Sequence, residues 1–488
     1  MRNANSFTSP RTRNRTISPS FSGPNGTRTI VHPSARSPFS NRARNRCGFV
    51  RAFFPAFVFA LFFAATPASR SHANDTLVCI AATPNPRIFL SAGEASGDHY
   101  GAQIIAALRS HLPAASFTGL GGAEMEAAGQ QRIVRAEDVA HMGITEVLRH
   151  APRVYSSYRR LVTAIKRDRP DLAILIDFPD VNFRLAQHCK RLGIPVLWFV
   201  SPQLWAWKRQ RLRWVRKRVS KMLLIFPFEE PFYRARGVDA TFVGHPLAAL
   251  PMPTESREAY AAQHGLDPAK QWIALLPGSR WKEVEANLPT MLEAASHLGS
   301  KGEYDFLIPV ASTLDPKRFE NLIASMQLGP PIVWPDKSSL VIVPDARVAL
   351  YHARASVVAS GTATVQALTI GNPFVVVYRV SPLTYAIAKR FIRYPAEIPA
   401  QRDADGNLPI AMPNLIAGHR IVPELLNARF TAANLAAALR PLLDDTPARA
   451  QMIADLTETR ARLLPDPGSD PIQRVADAAL ELLSSRDS

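Results

Sequence analysis

From Arg87 onward, short apolar runs alternate with amphipathic stretches, the pattern of strands feeding helices. Residues 87–93 read as a first strand and its turn, followed by a helix over 98–111. Residues 172–177 are continuously apolar up to a terminal Asp, as a parallel strand covered on both faces must be. A helix over 181–192 follows, ended by Gly193, and further strands are expected at 195–200, 221–226 and 240–246. Residues 246–268 are polar and proline-bearing and include a connector. A second series of strands then reads at 273–276, 305–310, 339–343, 356–359 and 373–378. The tail from Thr431 is rich in Ala and Leu and reads as packing helices. Two βα series with a joint between them predict an α/β protein with two Rossmann-like domains facing across a cleft. The expected division is a first domain over 87–250, a second over 251–430 and C-terminal helices over 431–488.

The first 86 residues break this pattern. Residues 1–46 are rich in Ser, Pro, Asn and Arg and read as disordered. Residues 52–65 are apolar with Pro55 inside, and Ser71-His72-Ala73 resembles a small-residue cleavage site. Three readings stand: an over-extended start with the protein proper beginning near residue 80, a targeting or membrane-tethering leader, or an export signal. The leader also distorts the charge. Residues 1–80 hold eleven Arg and one Asp, about +10 of the formal +18, so the remaining chain is only modestly basic. Nucleic-acid binding is not expected from a pI produced that way. Cys47, Cys79 and Cys189 form no disulfide framework and no zinc pattern, which suits a reducing compartment.

The chemistry gathers where strands end. Leu275-Leu276-Pro277-Gly278-Ser279-Arg280 and Ala359-Ser360-Gly361-Thr362-Ala363-Thr364 each pass from an apolar strand through small residues into a helix. Such a turn leaves backbone N–H groups unpaired at the positive end of a helix dipole, which suits a phosphate. Arg280 adds a permanent, bidentate cation. Two such turns suggest a diphosphate-linked donor, with Gln366, one turn inside the second helix, within reach of a ribose. In the first half, Ala92-Gly93-Glu94-Ala95-Ser96-Gly97-Asp98 places Glu94, Ser96 and Asp98 at the carboxyl end of the sheet. Acids are poor partners for a phosphate, so this turn suits sugar hydroxyls or an acceptor, or plain helix capping by Ser96 and Asp98. Asp177 at a strand tip and Asp180 three residues on are candidate general bases, with Asp180 also a candidate cap. His245, after Val243-Gly244, is either structural or a donor contact.

Residues 205–221 contain no acid and carry Lys208, Arg209, Arg211, Arg213, Arg216, Lys217, Arg218 and Lys221 among Trp205, Trp207 and Trp214. An anionic lipid surface or a phosphorylated acceptor is the preferred partner; a solvated basic helix is the plain alternative, and nucleic acid, whose bases could stack on such a cation–aromatic cluster, is a lesser one. Asp403-Ala404-Asp405 is a D-x-D triplet in a polar loop rather than at a strand end, and no metal requirement is expected.

Taken in order, several segments resemble the lipid A disaccharide synthase family of bacterial glycosyltransferases. They are Ser91 to Asp98, Met142-Gly143 with Glu146-Val147-Leu148, Asp177 to Asn182, Val200-Ser201-Pro202 with Trp205-Ala206-Trp207, and Pro227-Phe228-Glu229. Val243 to Pro246, Leu276 to Arg280, Ser360 to Thr364 and Pro413-Asn414-Leu415-Ile416-Ala417 complete the series. The resemblance implies a GT-B architecture and an inverting transfer of 2,3-diacylglucosamine from UDP to 2,3-diacylglucosamine 1-phosphate (lipid X). The product would be the β-1,6 disaccharide 1-phosphate, with UDP as the leaving product and the UDP-sugar a substrate rather than a cofactor. It implies action on anionic lipid at the cytoplasmic face of the inner membrane, and a homodimer is compatible with it. Asp177, Asp180 and Glu94 are the expected catalytic set. Gly278, Ser279, Arg280, Ser360, Gly361, Thr362, Thr364, Gln366, His245 and Asn414 are expected on the donor side. Ser96, Asp98, Asn182, Trp205, Trp207, Arg209 and Arg211 are expected to face the acceptor or the membrane. Two departures stand out: the family usually has Glu where this chain has Gln366, and the segment 398–412 is longer and more polar than usual. The competing readings are another GT-B transferase or epimerase with a soluble acceptor, and a non-catalytic basic membrane-binding protein. The first leaves the Trp/Arg segment without a purpose; the second leaves the two phosphate-type turns without one.

Overall fold

This computed structural model describes residues 85–485 except 141–143, 300–301, 312, 328–337, 382–384, 387–388 and 391. The leader over 1–84 and Met142-Gly143 lie outside the described residues. The first lobe is a seven-stranded parallel sheet: β1 (Arg87–Ala92), β2 (Ser116–Gly121), β3 (Gln130–Arg135), β4 (Leu172–Ile176), β5 (Val196–Phe199), β6 (Lys221–Leu224) and β7 (Ala240–Phe242), in the order β3-β2-β1-β4-β5-β6-β7. The second lobe is a six-stranded parallel sheet: β8 (Gln271–Leu276), β9 (Tyr304–Pro309), β10 (Leu340–Val343), β11 (Ala355–Ala359), β12 (Phe374–Tyr378) and β13 (Glu424–Leu426), ordered β10-β9-β8-β11-β12-β13. Every pairing is parallel. The central strands are buried along their whole length, Leu172–Ile176 and Val196–Phe199 without exception, because helices cover both faces.

In each sheet the strand order reverses once, between β1 and β4 and between β8 and β11. The helices that follow such a pair lie on opposite faces, so a crevice opens at the carboxyl ends of those strands. The four turns singled out by sequence follow β1, β4, β8 and β11. The fold therefore delivers all of them to two crevices.

β2, β3 and β13 were not expected. Ser116–Gly121 carries Ser, Thr and two Gly, Gln130–Arg135 is half polar at the sheet edge, and Glu424–Leu426 has three residues. β3 and β13 lie at sheet edges, where little apolar pattern is required, whereas β2 lies one strand in and is masked by its Ser, Thr and Gly residues. The tail, expected as one helical unit, is divided between the lobes. The helix Ala432–Leu443 packs on Trp281–Leu298 of the second lobe, whereas Pro471–Ser484 returns to lie on Ala95–His111 of the first. Lys221 Nζ to Glu481 at 2.5 Å and the His245 amide donating to the Leu463 carbonyl at 2.8 Å tie that return down. The chain thus crosses between lobes twice, which couples them mechanically.

Candidate functional site

The β4 crevice is built around an unusual turn. Asp177 and Phe178 both adopt positive φ, 43° and 48°. Asp tolerates this conformation; Phe rarely does. The Phe178 ring lies over Gly93 at the end of β1, where an added Cβ would come within 2.4 Å of ring carbon. Gly93 therefore has no side chain because the β4 turn occupies that volume. Beneath the turn, Asn182 ties the two strands together. Its Oδ1 accepts from Ser91 Oγ at 2.7 Å, and its Nδ2 donates to the carbonyls of Asp177 at 2.8 Å and Ile176 at 3.2 Å. The outcome is a rigid platform that holds Asp177 at the rim.

Burial, then the nearby charge of Glu94, raises the Asp177 carboxyl from 3.8 to about 7, against one lowering contact from the Phe178 amide. A carboxylate with a proton affinity matched to neutral pH is suited to general-base work. Asp180 differs. It pairs with Arg211 Nη2 at 2.8 Å, so its carboxylate is already engaged by a cation. Asp180 does not cap its helix either, since the helix Pro179–Arg191 starts from Phe178 without a side-chain cap. The two candidate bases thus differ in surroundings: Asp180 is paired with a guanidinium, whereas Asp177 is half-buried beside Glu94.

Glu229, named only as part of a motif, is 1% exposed. Its Oε1 accepts from Ser201 Oγ at 2.6 Å and Trp205 Nε1 at 3.1 Å, while Oε2 has no partner. Burial raises it from 4.5 to about 7 despite the two donors, with the Asp177 charge a small contribution in the same direction. Its sequence signal was a pair of acids, Glu229-Glu230, set between the apolar stretches Phe226-Pro227-Phe228 and Pro231-Phe232.

In the second lobe, Gly278 has φ 134° and Arg280 starts the helix Trp281–Leu298 in extended conformation. Glu283 reaches back over the turn, accepting from the Ser279 amide at 3.1 Å and from Arg280 Nη1 at 3.4 Å. Ser279 is exposed, and so is the Arg280 guanidinium. At the β11 turn, Gly361 has φ 148° with open space where a Cβ would lie, and it precedes the helix Thr362–Ile370. Gly361 and Thr362 are exposed; Ser360 and Gln366 are half-buried at the rim. The first amides of that helix have no carbonyl one turn back within it, although the Thr364 amide is taken by the Gly361 carbonyl at 3.1 Å.

The two crevices meet. Arg280 Nη2 lies 3.6 Å from Glu94 Oε1, a contact from the β8 turn of one lobe to the β1 turn of the other. Glu94 and Ser96 are exposed beside it. Further along the joint, Trp205 packs edge-on against Tyr394 at 5.3 Å, and Arg236 pairs with Glu397 at 2.9 Å.

Several expected site residues turn inward instead. Asp98 accepts from the amides of Gly122 at 2.7 Å, Glu124 at 3.0 Å and Met125 at 3.2 Å, so its carboxylate caps the short helix Ala123–Ala127 rather than meeting an acceptor. Asn182 is the latch described above and is fully buried. His245 is 2% exposed and takes the Leu247 amide on Nδ1 at 3.2 Å; burial lowers its pKa to about 3, so it is a neutral helix cap, not a donor contact. Asn414 spends its amide on Val422 and Glu424 and its oxygen on the Ile421 and Val422 amides. Thr364 donates to the Gly361 carbonyl at 2.7 Å and is fully buried. Trp205 is 1% exposed. Arg209 binds the carbonyls of Trp205 and Arg393, and Arg211 is held by Asp180 beside the rings of Phe183 and Trp214. Trp205 is thus buried in the fold, and Arg209 and Arg211 are half-buried with their guanidinium groups engaged by protein partners. Trp207, with Lys208 Nζ 3.9 Å from its ring centroid, remains exposed together with Arg213, Arg216 and Lys217. Of the D-x-D triplet, Asp403 caps its own turn by accepting from the Asp405 and Asn407 amides, and Asp405 pairs with Arg429 at 2.5 Å. Cys189 is buried, with its thiol pushed up to about 12.

A profile of the Lipid-A-disaccharide synthetase family matches residues 88–465. The chain belongs to this family of glycosyltransferases. A lipid-A-disaccharide synthase of Acidobacterium capsulatum is 53% identical over 405 residues, covering 82% of this chain and 97% of that protein. Those of Koribacter versatilis and Myxococcus xanthus are 46% and 38% identical, covering 77% and 82% of this chain and 93% and 98% of theirs. Among solved structures, Staphylococcus aureus MnaA with UDP aligns at TM-score 0.53 and 12% identity, over 82% of this chain and 98% of that one. The kitacinnamycin glycotransferase aligns at TM-score 0.50 and 16% identity, over 82% and 99%. At such identities the likeness concerns the fold, and it places the chain in the GT-B class. The family makes it an enzyme of lipid A biosynthesis.

Proposed function

We propose that this chain joins UDP-2,3-diacylglucosamine to 2,3-diacylglucosamine 1-phosphate, releasing UDP and forming the β-1,6 disaccharide 1-phosphate with inversion. The observation that carries this reading is the meeting of two switch-point crevices, one offering a carboxylate raised to about 7 and the other a cation and open helix amides. In a single displacement the acceptor 6-hydroxyl loses its proton to Asp177. Its oxygen then bonds the donor anomeric carbon as the bond from that carbon to the diphosphate oxygen breaks, and UDP leaves with the electron pair. Arg280 and the amides at the head of Thr362–Ile370 are placed to stabilise the charge that develops on the diphosphate. Ser279 and Ser360 line the same turns, and Gln366 is the residue for the ribose, with one acceptor oxygen where the family's usual Glu has two.

No helix among the described residues is long and apolar enough to cross a membrane. The exposed Trp207 with Arg213, Arg216 and Lys217 supports peripheral contact with anionic lipid at the cytoplasmic face of the inner membrane. The test is UDP release on mixing the purified protein with both lipid substrates, and its loss in Arg280→Ala with an unchanged circular dichroism spectrum. A transferase or epimerase with a soluble acceptor would turn over without lipid X. Near wild-type turnover by Arg280→Ala would remove this guanidinium from the mechanism.

A further inference from the structure

We infer that Glu94 is a positioning residue for Arg280: it holds the guanidinium across the cleft until a nucleoside diphosphate takes it, and that exchange leaves a bare carboxylate beside the candidate base. The inference deepens the donor reading above and rests on it. Its ground is geometric. Arg280 lies between two acids, Glu283 at 3.4 Å on its own helix and Glu94 at 3.6 Å on the other lobe. The Glu283 contact is local to one turn and survives any lobe movement. The Glu94 contact is the one that a ligand entering between the lobes must share or break.

Asp177 feels the consequence. Among the described residues, the acids that bear on it are Glu94 from the β1 turn and Glu229 from the helix after β6; Asp180, paired with Arg211, follows three residues on along the same turn and helix. Glu229 is fixed by Ser201 and Trp205, and Asp180 by Arg211. Of these acids, Glu94 alone draws its cation from the opposite lobe. When Arg280 moves to a diphosphate, the Glu94 charge is less screened and Asp177 holds a proton more firmly. Donor occupancy therefore strengthens the base at the moment an acceptor can be attacked.

The test uses UDP as the probe, titrated calorimetrically at low ionic strength into the wild-type protein, Glu94→Gln, Arg280→Ala and the double variant. Glu94 is an exposed helix N-cap with no side-chain capping bond, so the Gln variant folds. Expected is about two- to fivefold tighter UDP binding by Glu94→Gln, the scale of an exposed ion pair, and no such gain in the Arg280→Ala background. A gain that persists undiminished without Arg280 marks simple repulsion of the diphosphate and overturns the inference. So does equal affinity of wild type and Glu94→Gln. Absence of UDP binding by the wild-type protein overturns the donor reading itself, a distinguishable failure. The second readout is kinetic. Glu94→Gln lowers donor KM and kcat together and moves the acid limb of kcat to lower pH, because that limb reports the base in the occupied complex. An unmoved limb overturns the coupling to Asp177.

Discussion

Replacing Asp177 by Asn isolates the proton-transfer role more cleanly than any other change in the molecule. Asn keeps the size of Asp and shares its tolerance of the positive φ, 43°, on which the turn over Gly93 depends. Ala would add backbone strain and confuse the result. Loss of a general base costs roughly 10²–10⁴ in rate, about 3–5 kcal/mol in the barrier. The wild-type profile carries its own signature. With the carboxyl at about 7, half the enzyme is competent near neutrality, and activity falls tenfold per pH unit below that. Two measurements decide the matter: kcat for UDP release between pH 5 and 9 in both proteins, and UDP affinity by calorimetry. The expected result is a kcat lowered by about 10³ with the acid limb near 7 gone, and UDP affinity retained. An Asn variant within tenfold of wild type, with the same acid limb, would refute the assignment and return attention to Glu94 or Glu229.

Gly93→Ala places a methyl group within 2.4 Å of the Phe178 ring and forces the β4 turn to move; activity should fall more than stability, measured as kcat against Tm. Glu229→Gln tests the buried acid through stability. Because its folded pKa lies above the unfolded value, the wild-type fold is favoured below about 4.5 and loses stability as pH rises to about 7, then levels. The neutral Gln removes that loss, so its Tm should exceed wild type at pH 8, by the equivalent of up to about 3 kcal/mol, and match it at pH 4. A lower Tm at pH 8 would mean the Ser201 and Trp205 contacts need the charge.

The two βα series, the positions of the main strands along the chain and the four chemically loaded turns were legible in the sequence. Fully buried parallel strands are continuous apolar runs, and a turn that leads into a helix needs Gly, Ser or Thr; both requirements are local. β3 and β13 escaped because an edge position demands little of its sequence, and β2 because its Ser, Thr and Gly residues interrupt the apolar run. The family resemblance named the right motifs, but not which side chain in each motif is free. Asp98, Asn182, His245, Asn414 and Thr364 lie in recognisable segments, yet each satisfies backbone groups inside the fold. A polar side chain in a motif looks the same whether it serves the scaffold or the ligand. The basic segment shows the same limit: Arg209 and Arg211 read as surface charge, and both are bound inward.

Sequence by itself determined that strands would end in phosphate-suited and acidic turns, because backbone conformation and helix capping depend on neighbours a few residues away. Tertiary structure alone decided that Glu94 and Arg280, 186 positions apart, would meet across a cleft. It also decided that Asp177 rather than Asp180 would be left without a cation. Proton affinity is set by what surrounds a group in space, and no periodicity along the chain carries that information.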